Sequence, residues 1–240
     1  MRWCGVAEGR VEAVISDFGG VLTTPLVQSF MAFQDQTGIT TENLGKAMQA
    51  ATEANGQNPL FEMERGEITE DAFLAQLTEH LEPLLGHRPE MHRFKEIYFE
   101  ALHPNHEMID LMRELKAAGY RMAMLTNNVR EWEPLWRSML PVDEIFETVV
   151  DSAFVGCRKP ESRIYAIVLE RLELPAESCL FIDDVKVNCE GAERAGIAAV
   201  HFQETEQAIR EIRGRLGEIA SRSRRSGDAG RTTRGAHSGA

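Results

Sequence analysis

The chain has 240 residues, 43% of them hydrophobic, enough for one sizeable core or a core with a smaller appended unit. A formal net charge of -12 argues against a general nucleic-acid binder, which carries a basic excess, and no stretch reaches the apolar length of a membrane span. The 4 cysteines (Cys4, Cys157, Cys179 and Cys189) are scattered and form no CxxC pair, so neither a disulfide framework nor a zinc knuckle is expected.

From the N-terminus, Glu8, Arg10 and Glu12 fall where a signal peptide needs its apolar run, which favours a soluble, cytoplasmic protein. Residues 11–16 (VEAVIS) read as the first buried strand. The next good strand comes only at residues 121–126 (RMAMLT). Between them, roughly residues 24–102 carry helical signals alone. Thr24-Pro25 starts a helix that Gly38 stops, and Thr69 opens a second amphipathic stretch through Phe73, Leu77, Leu81 and Leu85. This block is too long for a crossover helix and reads as an all-helical cap over the strand ends.

Beyond the cap the rhythm becomes regular. A helix over residues 105–119 precedes the second strand. Residues 148–150 (TVV), 179–182 (CLFI) and 197–202 (IAAVHF) are further strands, and residues 160–174 form a helix opening on Pro160. Alternating strands and helices imply a doubly wound α/β parallel sheet, in which ligands sit beyond the carboxyl ends of the strands. The expected organisation is a core of residues 11–23 and 103–212, a cap of residues 24–102, and a basic tail of residues 213–240 too poor in apolar groups to order itself.

Four short stretches end predicted strands or begin helices: Asp17-Phe18-Gly19-Gly20, Thr126-Asn127-Asn128, Arg158-Lys159-Pro160 and Asp183-Asp184, with Asn188 one helical turn further on. Together they suit a phosphate site with a metal. Asp17 and Asp184 can share Mg²⁺, which takes hard oxygen ligands, and the glycines let backbone approach closely. Thr126 offers a hydroxyl, the amides after it can grip phosphate oxygens, and Lys159 offsets the like charges of nucleophile and substrate. A carboxylate can then attack phosphorus and form an aspartyl-phosphate.

The order DFGG, LTN, KP, IDD resembles the four signature motifs of the haloacid dehalogenase-like hydrolase superfamily, in its subclass with an α-helical cap. The resemblance spans about residues 11–212. In GEIT, LTNN and FIDDVKVNCEGAERAGI the chain is similar to the branch containing the N-terminal phosphatase domain of bifunctional epoxide hydrolase. The resemblance implies Asp17 as nucleophile and magnesium ligand, and Gly19 as a ligand through its carbonyl. It implies Thr126 and Asn127 as binders of the phosphoryl group and Lys159 as its counter-charge. Asp184 is the direct metal ligand, Asp183 orients the site beside it, and Asn188 supports the loop.

One position departs from that pattern. Family phosphatases generally carry a second aspartate two residues after the nucleophile, as general acid and base, and here that residue is Gly19. Acid–base catalysis contributes about 10²–10⁴-fold. The leading expectation is therefore a phosphatase of a small phosphorylated metabolite that works without this acid. The rivals are carbon–halogen hydrolysis by the same nucleophile and a phosphate-binding regulator with decayed catalysis. The Glu64-Arg65-Gly66-Glu67 stretch in the cap is a candidate substrate loop, although a helix-to-helix turn explains it nearly as well. Nothing in the sequence specifies oligomeric state.

Overall fold

The computed structural model describes residues 10–229, with side-chain surroundings through residue 217. Cys4, Glu8 and residues 230–240 of the tail lie outside the described residues. The strands β1 (Ala13–Ser16), β2 (Arg121–Thr126), β3 (Thr148–Asp151), β4 (Cys179–Asp183) and β5 (Ala198–His201) stand where the apolar runs place them. They form one parallel sheet in the order β3-β2-β1-β4-β5.

Strand residues alternate between two apolar cores. Val14, Met122, Met124, Leu180 and Ile182 face one way. Ala13, Ile15, Ala123, Leu125 and Phe181 face the other. Burial on both faces explains why the strands read as continuous apolar runs.

Five helices fill the insertion between β1 and β2: α1 (Leu26–Thr37), α2 (Thr41–Asn55), α3 (Pro59–Glu64), α4 (Glu70–Leu85) and α5 (Phe94–Glu100). Their ends follow local chemistry. The Thr40 and Thr69 side chains accept hydrogen bonds from the Asn43 and Ala72 amides at the starts of α2 and α4, each such contact contributing about 1 kcal/mol. Gly38 closes α1 in the left-handed region at φ 75°, where other residues are strained. The two ends of the insertion are tied together. Thr23 bridges Pro104 in antiparallel fashion, the Thr24 amide donates to the His103 carbonyl at 2.7 Å, and the Asn105 amide donates to the Leu22 carbonyl at 2.8 Å.

The remaining helices are α6 (His106–Ala117), α7 (Glu133–Ser138), α8 (Val142–Ile145), α9 (Ser152–Val155), α10 (Ser162–Leu172), α11 (Lys186–Arg194) and α12 (Thr205–Ala229). Both α6 and α12 cover one face of the sheet, while α10 and α11 cover the other. The sheet is thus doubly wound, with the all-helical cap inserted after its first strand. No described helix is long and apolar enough to cross a membrane.

Two expectations are corrected. The helix expected from Pro160 begins at Ser162, because residues 158–161 turn back on themselves. The Glu161 amide donates to the Arg158 carbonyl at 2.8 Å, across a cis Lys159–Pro160 peptide. The last core helix also runs past the boundary expected at Arg213, since α12 continues to Ala229. Ala208, Ile212 and Leu216 recur at helical spacing and are buried against the sheet. Leu216 lies beyond the point at which the sequence becomes Arg- and Ser-rich, so its anchoring was hidden by composition.

Candidate active site

The sheet order fixes where chemistry can occur. From β1 the chain winds outward through β2 to β3, then returns to place β4 on the other side of β1. Such a reversal leaves a crevice above the carboxyl ends of the two central strands. Ser16 is in register with Met124 of β2 and Ile182 of β4, so Asp17, Thr126 and Asp183 end adjacent strands at nearly one height. The Asp17 amide donates to the Ile182 carbonyl at 2.8 Å, which fixes the nucleophile candidate to the neighbouring strand.

Lys159 stands at the centre of the crevice, 1% exposed. Its Nζ lies 2.7 Å from Asp17 Oδ1 and 2.6 Å from Asp183 Oδ2. Asp17 Oδ1 also accepts the Phe18 amide at 2.7 Å. Among the described residues no donor reaches Asp17 Oδ2, so one oxygen is held and the other is free. The two acids after β4 divide in a way their adjacency does not reveal. Asp183 is fully buried and both its oxygens are engaged. Oδ1 accepts from the Val185 amide at 2.8 Å and from Asn188 Nδ2 at 3.0 Å, and Oδ2 accepts from Lys159. The Asp184 carboxylate receives no hydrogen bond from another described residue. His201 Nε2 lies 3.0 Å from its backbone carbonyl.

The electrostatics show a shortage of positive charge. Asp17, Asp183 and Asp184 each offer an oxygen within 4.8 Å of the others, with one ammonium among them. Burial pushes Asp17 well above the ordinary carboxylate range; Lys159 opposes this, and Asp183 and Asp184 add to it. Asp184 is pushed up to about 6 by burial and then by Asp183. Burial alone would lower the Lys159 ammonium, but Asp17 and Asp183 hold it charged, above the usual lysine range. The lysine therefore stays a cation and the strain falls on Asp17 and Asp184. A hard divalent cation between those two would relieve it, and oxygen donors at this spacing suit Mg²⁺.

Gly20 has a steric reason to be glycine. It sits at φ 77°, and a Cβ there would stand 2.2 Å from Asp184 Oδ2. Gly20→Ala is expected to cost about 1–3 kcal/mol and to push Asp184 out of the cluster. Denaturation midpoints check the first effect and a crystal structure of the variant the second. An Asp184 carboxylate still beside Asp17 in the variant would contradict the second.

Other assigned residues are placed differently. Thr126 is buried at the end of β2 and lines the cavity under the cap. The Asn127 side chain clasps the Lys159 backbone, with Oδ1 accepting its amide at 2.8 Å and Nδ2 donating to its carbonyl at 3.1 Å, and the residue lines the same cavity. Asn188 does support the loop, through its bonds to Asp183.

The cap docks on the loop that carries Lys159. Glu64 pairs with Arg158, Arg65 with Glu161 at 2.6 Å, and the Arg158 guanidinium lies 3.8 Å over the Phe61 ring. Gly66, at φ 68°, packs so closely that a Cβ would meet the Ala153 carbonyl at 2.3 Å. The Glu64–Gly66 stretch is therefore a seam contact and also part of the cavity wall. Pairs separated by more than ninety residues leave no periodic signal, and Arg158 and Glu161 were not legible as partners.

Behind the crevice the cap encloses a cavity of about 210 Å³. Phe18, Gly19, Thr126 and Asn127 form its floor, and the walls include Leu26, Phe30, Met63, Phe73, Tyr98 and Trp132.

Comparison with known proteins agrees with this architecture. Residues 11–196 match the family model described as haloacid dehalogenase-like hydrolase. Acyl-CoA dehydrogenase family member 10 of Mus musculus is 27% identical over 90% of this chain, which spans 20% of that protein. The sesquiterpene phosphatase astK of Aspergillus oryzae is 28% identical, over 86% of this chain and 97% of its own length. Bifunctional epoxide hydrolase 2 of Sus scrofa is 26% identical over 84% of this chain and 38% of its own. Among solved structures, a HAD family enzyme of Bacteroides thetaiotaomicron in complex with magnesium and inorganic phosphate shares the fold. It has a TM-score of 0.59 and 21% identity, over 80% of this chain and 93% of that one. With the family model matching most of its length and the motif carboxylates meeting at one crevice, the chain belongs to the haloacid dehalogenase-like hydrolases.

Proposed function

We propose that the protein is a magnesium-dependent phosphomonoester hydrolase that takes the phosphoryl group onto Asp17. The observation that carries this reading is the division of oxygens. Asp17 has Oδ1 fixed by Lys159 and Phe18, and among the described residues neither its Oδ2 nor the Asp184 carboxylate accepts a hydrogen bond from another residue. Asp17, Asp184 and the Gly19 carbonyl would hold the ion, and Asp183 would orient Lys159 and the loop. Bound there, Mg²⁺ supplies positive charge toward the phosphate oxygens. Thr126 and the backbone amides after it receive the phosphoryl group, and Lys159 lowers the repulsion between nucleophile and substrate.

The alcohol part of the substrate is apolar in this reading. The cavity adjoining the nucleophile loop is walled mainly by Leu, Met and Phe side chains, and a sugar would leave its hydroxyls unpaired there. A relative covered almost end to end carries the name sesquiterpene phosphatase, which is consistent with this substrate chemistry. Halide displacement needs no cation, so the three-carboxylate cluster favours phosphate over a haloacid.

The test is hydrolysis of p-nitrophenyl phosphate and of a set of alkyl phosphates, with Mg²⁺ and with EDTA. Turnover is expected only with the metal, and alkyl phosphates are expected to show a lower KM than sugar phosphates. Equal turnover in EDTA would overturn the metal-dependent mechanism.

A further inference from the structure

Position 19 carries no acid, and a Cβ there would already lie 3.2 Å from Leu26 of α1. A leaving alkoxide still needs a proton. The side chains of the cavity wall that could supply one are few: Glu64, Tyr98, Thr126, Asn127, Asn128 and Trp132.

Most of these are committed elsewhere. The Asn127 amide clasps the Lys159 backbone, and Asn128 Oδ1 accepts the Val129 amide at 2.9 Å. The Trp132 indole nitrogen is sealed away from any open surface. Thr126 ends β2 beside the nucleophile strand, on the phosphoryl side of the scissile bond. Glu64 is tied to Arg158 in the seam between cap and core, although burial raises its carboxyl against that pairing, so it is the rival donor.

Tyr98 differs from Glu64 in having no partner among the described residues. It sits in α5, 8% exposed, and its ring is clamped by Trp132 at 5.0 Å, Phe99 at 5.5 Å and Phe30 at 5.8 Å. Its hydroxyl makes no hydrogen bond to any described residue, and it is not among the buried polar atoms closed off from open space. Burial first, then the carboxylates of Glu64, Asp17 and Asp184, holds the phenol above its ordinary value. The group is therefore a neutral hydrogen donor throughout the physiological range, in a cavity that is also lined by Phe18 and Gly19 of the nucleophile loop.

Building on the phosphatase reading, we propose that Tyr98 is a further catalytic residue, donating its hydroxyl proton to the alcohol oxygen of the substrate in place of the acid missing at Gly19. Asp17 Oδ2 forms the new bond to phosphorus. The bridging P–O bond breaks with its electron pair on the alcohol oxygen, which takes the phenolic proton and leaves as neutral alcohol. Water then attacks the aspartyl-phosphate and gives one proton to the phenolate, which releases phosphate and restores Asp17 and Tyr98. An alkoxide is a stronger base than a phenolate, so the transfer runs toward the alcohol oxygen.

The experiment compares a leaving group that needs a proton with one that does not. Wild type, Tyr98→Phe and Glu64→Gln are assayed with Mg²⁺ on n-hexyl phosphate and on p-nitrophenyl phosphate. The ratio of kcat on hexyl phosphate to kcat on the nitrophenyl ester is expected to fall at least 10-fold in Tyr98→Phe and to stay within 3-fold in Glu64→Gln. Losing only the hydroxyl preserves the aromatic packing, and thermal melts confirm that the variant is folded. An unchanged ratio in Tyr98→Phe, or a fall confined to Glu64→Gln, overturns the assignment. The phosphatase reading is judged separately, by whether wild type turns over either ester with Mg²⁺.

Discussion

Lys159→Met is expected to lose both turnover and much of the protein's stability. The side chain is as buried as a core leucine and bonds two carboxylates at 2.7 and 2.6 Å. Methionine fills similar space, so the loss is electrostatic. Removing one partner of a buried ion pair costs about 3–5 kcal/mol, because the other charge is left without compensation. Here two such charges are left, with Asp184 beside them. At 2–4 °C per kcal/mol for a chain of this size, the melting temperature should drop by roughly 6–20 °C. Added Mg²⁺ should recover more stability in the variant than in wild type, since it then provides the nearest positive charge. Thermal melts with and without the metal check this. A variant as stable as wild type in EDTA would mean that the lysine is not the counter-charge of the cluster.

Asp17→Asn should separate activity from stability in the opposite sense. Turnover is expected to fall by roughly 10⁴-fold or more, as when other nucleophiles are removed, because an amide cannot form the acyl phosphate. The metal-free protein should nevertheless melt higher. Asp17 has its carboxyl pushed upward by burial, so ionising it costs folding free energy, and the amide removes that cost. The pH dependence follows the same sign. Below the unfolded carboxylate value, near 4, both states are protonated and no penalty exists. As pH rises past that value the unfolded chain ionises first, and stability is lost until the folded group titrates, about 6 for Asp184. Metal-free wild type should therefore become less stable between pH 4 and 6, and Asp17→Asn should show a shallower decline. Melts across that interval in EDTA provide the measurement. A lower melting temperature for the variant at pH 7 would count against crowding of the acids.

Much of this was readable from sequence because it depends on local chemistry. Strands buried on both faces must be apolar throughout, so VEAVIS, RMAMLT and CLFI announced themselves. Gly38 and Thr69 marked helix ends for reasons internal to a single turn. The strand-end motifs could be grouped because a parallel sheet brings those ends to one rim. What stayed hidden depends on partners far apart in the chain. Nothing in LTNN tells that the Asn127 amide meets the backbone of Lys159. The resemblance already assigned Asp183 and Asp184 different roles, but not the full burial and the Asn188 bond that hold Asp183. Nothing in the sequence marked Tyr98, and only the cavity under the cap singled it out.

The knot of hydrogen bonds at Thr23, Thr24, Pro104 and Asn105 has a consequence for the family's history. The chain leaves the sheet and rejoins it at neighbouring points that are pinned to one another. Whatever lies between them is a closed module with regard to the strands. A cap of another length can be inherited or recombined there without shifting the β1–β2 register, and the nucleophile stays where β1 puts it. Substrate choice can thus diverge quickly while the hydrolytic machinery is passed on intact.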